Sequence, residues 1–139
     1  SDANYNSGGP GDTTYLQGAM MEGNAQGILE MTFDTATSNL SFGLALSSFD
    51  PLTPAAVIEL FDINMLSIGT FDLNSTPLVS FTEAQFVYSG VEILKATVDF
   101  DDNAGRFAFD NLAFNQIPEP GALAMLAIGL LLLSRSAKA

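Results

Sequence analysis

The chain has no cysteine, no histidine and no tryptophan in 139 residues, and only four basic residues against sixteen acidic ones. Without cysteine there is no disulfide and no thiolate nucleophile. Without histidine as well, the usual zinc sites and every histidine-based triad are excluded. The lack of disulfides leaves the compartment open. The missing tryptophan removes the best flat platform for a sugar ring or a cation. Only Tyr5, Tyr15 and Tyr88 remain as tyrosines, and the phenylalanines fall mainly at inward strand positions such as Phe33, Phe42, Phe61 and Phe109. The shortage of bases is uneven. Fifteen of the sixteen acids but only Lys95 and Arg106 of the bases precede Ile117, a formal charge of −13 for that part. Such a surface repels phosphate backbones, which argues against nucleic acid as a partner. It favours solubility, and it offers oxygen ligands to a hard cation.

What is present is mostly β patterning. Leu29, Met31 and Phe33 alternate with Glu30 and Thr32, and Leu40, Phe42, Leu44 and Leu46 alternate with Ser41, Gly43 and Ala45. A period of two places the large side chains on one face. Further strands are expected at Val57–Phe61, Leu66–Phe71, Leu78–Tyr88, Val91–Val98 and Arg106–Phe114. Turn chemistry separates them at Asp34–Asn39, Asp50-Pro51 with Pro54, Asp62–Asn64, Asn74–Pro77, Ser89-Gly90 and Asp101–Gly105. No stretch ahead of Ile117 has sustained helical periodicity. The fold class expected is all-β, an antiparallel sandwich over residues 25–117, preceded by a flexible or incomplete segment, 1–24. In the last strand Phe107 and Phe109 share one parity and Leu112 and Phe114 the other. A bulge at Asp110-Asn111 is favoured over a strand buried on both faces.

Candidate chemistry is sparse. Fifteen carboxylates ensure that some pair stands at a glycosidase-like spacing, so a pair alone means little. No nucleophile has a base beside it and no phosphate-cradling loop occurs, so a non-catalytic domain is expected. Asp99, Asp101 and Asn103, ahead of Gly105, are the one calcium-like constellation. They lack the distal glutamate of an EF-hand loop and suit a hairpin turn better.

The last 22 residues differ in character. Pro118-Glu119-Pro120 leads into an apolar run, Gly121–Leu133, and then a tail carrying Arg135 and Lys138. The two prolines cannot continue a sheet and keep the segment extended around an isolated carboxylate. A helix over 121–134 has an apolar length of roughly 20 Å, against about 30 Å of hydrocarbon, a short span suited to temporary anchoring. Arg135 and Lys138 would stay cytoplasmic, leaving the acidic domain outside.

This ordered trio, residues 118–139, resembles the C-terminal sorting signal of PEP-CTERM proteins. The pieces Val57-Ile58-Glu59-Leu60-Phe61-Asp62…Ile68-Gly69-Thr70 and Phe107–Phe114 look like parts of the jelly-roll domains that precede such tails. Two departures stand out: the bases are only two and separated, and Gly121 follows the tripeptide where serine or threonine is common. The resemblance implies a jelly-roll-like domain with one short C-terminal transmembrane helix. It implies export, a single-pass inner-membrane intermediate, and capture of Pro118, Glu119 and Pro120 by an exosortase-type membrane protease or transpeptidase. The destination would be the cell surface or an extracellular matrix, with exopolysaccharide as a potential partner and a structural or adhesive role. A calcium- or carbohydrate-binding surface module is the alternative, and a surface hydrolase the third reading. No cofactor is expected besides Ca²⁺ in that alternative. The chain opens at Ser1 rather than methionine, so a processed form or a fragment is expected, which leaves room for a secretory signal already removed.

Overall fold

The computed structural model describes residues 4–6, 13–77 and 81–116. Within them the protein is all-β and antiparallel. The strands are β1 (Asn4–Asn6), β2 (Met20–Asn24), β3 (Ile28–Leu46), β4 (Ala56–Phe61), β5 (Ser67–Leu73), β6 (Thr76–Pro77), β7 (Thr82–Phe100) and β8 (Arg106–Gln116). Their order is β1-β2-β8-β3-β7-β4-β5, with β6 beside the start of β7. The sheet therefore reaches further toward the N-terminus than the loop-like composition of residues 1–24 suggests, because Met21–Asn24 pairs with Arg106–Phe109.

Two strands have 19 residues each, about three times the usual length. Each joins two stretches expected to be separate strands, and the turns expected at Asp34–Asn39 and Ser89-Gly90 are instead bends inside β3 and β7. The register shows how. Thr32 pairs with Lys95 and Thr37 with Ile93, so β3 has three extra residues there; Asn39 then pairs with Ser89, so β7 has two extra in the next interval. Such bulges break the ladder locally and bend the strands. The bends keep their polar groups satisfied. Thr37 is fully buried, its Oγ1 donates to the Asn39 carbonyl at 2.7 Å, and the Asn39 amide donates back at 3.3 Å. In β7 the Tyr88 hydroxyl donates to the Val91 carbonyl at 2.8 Å across Gly90. A Cβ at Gly90 would lie 2.8 Å from that hydroxyl oxygen, so the residue must be small. Partial burial raises the Tyr88 pKa.

The bends fold the sheet over on itself. Phe71 of β5 lies 5.9 Å from Phe86 and 6.0 Å from Tyr88 on the first half of β7, which β5 does not pair with. Phe33 meets Phe114 at 5.0 Å, and Phe100 stacks on Phe107 at 4.3 Å. One layer is thus β2-β8 with the second half of β3 and the first half of β7. The other is the remaining halves of β3 and β7 with β4 and β5. Between them lie Leu40, Phe42, Leu44, Leu46, Ile58, Leu60, Ile93, Val98 and Phe109, all buried. The resulting two-layer, sandwich-like body has a bend end and an opposite end. The opposite end carries the β7–β8 hairpin and the β3–β4 connection.

The bulge expected at Asp110-Asn111 is present, but burial stops at it: Phe107, Ala108 and Phe109 are buried, whereas Leu112 and Phe114 are exposed. Ser41 pairs with Ala113 and Gly43 with Asp110, one residue too many in β8, and Asn111 has φ 54°. Phe109 packs on Phe42 at 4.8 Å. Phe109→Ala is expected to cost about 3–5 kcal/mol, against about 0.5 kcal/mol or less for Phe49→Ala at an exposed site. Urea denaturation midpoints measure both, and equal midpoints would mean that the strand faces are misassigned.

Candidate functional site

The sequence-predicted residues fall in three places. Pro118, Glu119, Pro120, Arg135 and Lys138, with the apolar run between them, lie outside the described residues. Gln116, the last described residue, pairs with Thr37 at the bend end. Asp99, Asp101 and Asn103 lie at the opposite end, in and after the last turn of β7. There Asp101 caps the short 3-10 turn Asp102–Ala104. Its Oδ1 accepts from the Asn103 amide at 2.9 Å and from Asn103 Nδ2 at 2.8 Å, and Gly105 closes the turn with φ 71°. The carboxylate and the amide that would coordinate a cation are turned on each other. Among the described residues no group of three or more Asp or Glu is gathered as a metal site. The geometry is that of the hairpin turn.

Sequence reasoning missed a strap of residues 13–19 on the outer face of the first layer. Leu16 is fully buried there with Met20 against Ala45 and Ala108, flanked by Tyr15 and Phe81. Polar groups fix it. The buried Glu83 carboxylate accepts from the Thr14 amide at 3.1 Å and the Tyr15 amide at 3.3 Å. Asp110 accepts from the Gln17 amide at 2.9 Å, and Asn111 Nδ2 donates to the Tyr15 carbonyl at 2.7 Å. The strap passes so close to β3 that a Cβ at Gly43 would overlap the Tyr15 carbonyl oxygen. The signals were present: an inward-parity break at Asp110-Asn111 and a small-residue row, Gly43, Ala45 and Ala108. None names its partner without the fold.

Beyond the strap, β7, β3 and β8 together line a shallow groove of about 300 Å³. Asn39, Ser41, Ser89 and Asn115 supply amides and hydroxyls, with Val87, Ala113, Tyr88 and Phe114 between them. No lining residue is charged, although the domain is strongly acidic. The surface of the groove is uncharged and more apolar than polar, and it presents no nucleophile–base pair.

The β4–β5 turn is built by another carboxylate. Asp62 Oδ1 accepts from the Asn64 amide at 2.8 Å and the Leu66 amide at 2.9 Å, while the Asp62 amide donates to the Leu66 carbonyl at 2.9 Å. These bonds, the one from Leu66 foremost, hold its pKa below the ordinary carboxylate value against some desolvation. A lowered folded-state pKa adds turn stability above the unfolded value that fades as pH falls through the folded one.

No family model matches this chain, and no curated protein matches it. Among solved structures it is similar to the enzymatically active domain of tailspike protein 4 from bacteriophage CBA120, with 13% identity and a TM-score of 0.49. The match covers 83% of this chain and 18% of that one.

Two outcomes test the site. Gly43→Ala should cost about 1–3 kcal/mol by overpacking and speed amide exchange at Tyr15–Gln17; unchanged exchange would mean that the strap is not held there. An NMR titration should find the Asp62 midpoint below that of an unstructured aspartate, with the Asn64 and Leu66 amide shifts following the same curve.

Proposed function

We propose that this chain is an exported surface or matrix protein whose β domain is structural or adhesive, and whose C-terminal signal hands it to an exosortase-type membrane protease or transpeptidase. The observation that carries the reading is the order Pro118-Glu119-Pro120, thirteen apolar residues, then Arg135 and Lys138, set directly behind an acidic domain. The folded sheet is taken as the jelly-roll-like sandwich that accompanies such signals. An inner-membrane intermediate precedes release to the cell surface, with the acidic domain outside and the two bases inside.

The outer-face groove favours one secondary reading, a module for neutral carbohydrate such as exopolysaccharide. Its amide and hydroxyl lining can both donate and accept. A calcium module has less behind it, since Asp101 already caps its own turn.

Glu119→Ala should leave the domain's denaturation midpoint unchanged and stop removal of the tail. Intact masses of membrane and released fractions from the native host decide this. Normal processing of the variant would sink the sorting assignment, and a full-length mass confined to membranes in the unaltered protein would mean a plain anchor.

A further inference from the structure

The β4–β5 turn is an unusual one. Turn tips are ordinarily glycine, asparagine, aspartate or serine. This one exposes Ile63 (57%), Met65 (47%) and Leu66 (64%) to solvent within four residues. Met65 adopts φ 61°, a conformation for which glycine or asparagine is the ordinary choice. The tip is nonetheless well held. Asp62 takes the polar work of the turn through the amides of Asn64 and Leu66, and the Met65 amide donates to the Asp62 carbonyl at 3.0 Å. Three large apolar side chains are thereby fixed outward, and none of them joins the core.

Their position gives them a partner. Phe61, the last residue of β4, pairs with Lys95, two residues from Ile93, and Ile93 pairs with Thr37, which also pairs with Gln116. The tip, the exposed Val91 of the β7 bend and Gln116, the last described residue, therefore share the bend end of the body. Only residues 117–120 separate Gln116 from the apolar run beginning at Gly121, a reach of at most about 18 Å. A body tethered through that run has its bend end toward the bilayer. We propose that the Ile63-Met65-Leu66 tip docks on the same lipid surface and orients the domain for capture of the tripeptide. The inference rests on the membrane reading of residues 121–133. Asp34, Asp62 and Glu92 stand at this end, and Lys95, the one base nearby among the described residues, is paired with Glu30. The surface it suits is therefore zwitterionic rather than anionic.

The test uses the full chain in phosphatidylcholine vesicles. Because the chain has no cysteine, single substitutions Ser67→Cys beside the tip, Ser47→Cys at the opposite end and Ala127→Cys in the apolar run each take one environment-sensitive dye. The expected result is a blue shift, quenched by spin-labelled lipid, at positions 67 and 127 and none at 47. Adding Ile63→Ser, Met65→Ser and Leu66→Ser should abolish the shift at 67 and keep that at 127. A shift at 127 with none at 67 overturns the tip proposal and leaves the membrane reading standing. No shift at either overturns both. A shift at 67 that spin-labelled lipid does not quench means a protein contact instead, and also overturns it. A quenched shift at 67 with an aqueous 127 refutes the tail reading and with it the proposal that tip and tail meet one bilayer.

Discussion

The rest of the structure depends on two bends made side by side. A flat eight-stranded antiparallel sheet would leave one apolar face in water, and here no helix among the described residues is available to cover it. By inserting extra residues into β3 and β7 at neighbouring places, the sheet covers itself. The insertions lie side by side, three residues in β3 and then two in β7, so both strands turn at the same place. Thr37 and Tyr88 then supply, from side chains, the backbone partners that the broken ladder no longer provides. No buried side-chain nitrogen or oxygen among the described residues is left without a partner, which is the condition for such irregularity to persist in a core.

The strands were legible in the sequence and the bends were not, for a reason that can be named. Turn residues such as Asp34, Ser38, Asn39, Ser89 and Gly90 favour irregular backbone, but a reversal and a bend within one strand draw on the same chemistry. Parity separates them in part. The inward residues of β3 are odd up to Phe33 and even from Leu40, because three extra residues change parity. In β7 two are inserted, so Ala84 and Phe86 share parity with Ala96, Val98 and Phe100, and the pattern hides the bend. The bulge in β8 was readable because a single extra residue flips the pattern within one strand. The strap was unreadable because its anchors, Glu83, Asp110 and Asn111, lie about 70 to 100 positions away along the chain. Only the fold brings them together.

Carboxylates do much of the local construction. Glu83 and Asp110 hold the strap, Asp62 forms the β4–β5 turn and Asp101 caps the hairpin. Each accepts from backbone amides rather than from a cation. The acid count alone meant little in the sequence; in the fold these four carboxylates sit on amide donors that shape the strap, the β4–β5 turn and the hairpin. The excess of negative charge that remains is spread over the surface, where it resists self-association.

The apolar tip is harder to account for by folding alone. Placing a non-glycine residue such as Met65 in the left-handed region costs about 1–2 kcal/mol, and side chains left in solvent return none of that. Asparagine at 65 and polar residues at 63 and 66 would make the same turn at lower cost. Burial of each apolar side chain elsewhere would yield about 1.5–3 kcal/mol, so the arrangement becomes favourable once the tip meets an apolar phase. A second copy of the chain is a poor source of that phase. Its own bend end brings Asp34, Asp62 and Glu92 to face the same residues, and like charges brought together without counterions oppose the contact. A lipid surface without net charge supplies the apolar phase without that repulsion. It also lies within reach of the few residues that follow Gln116.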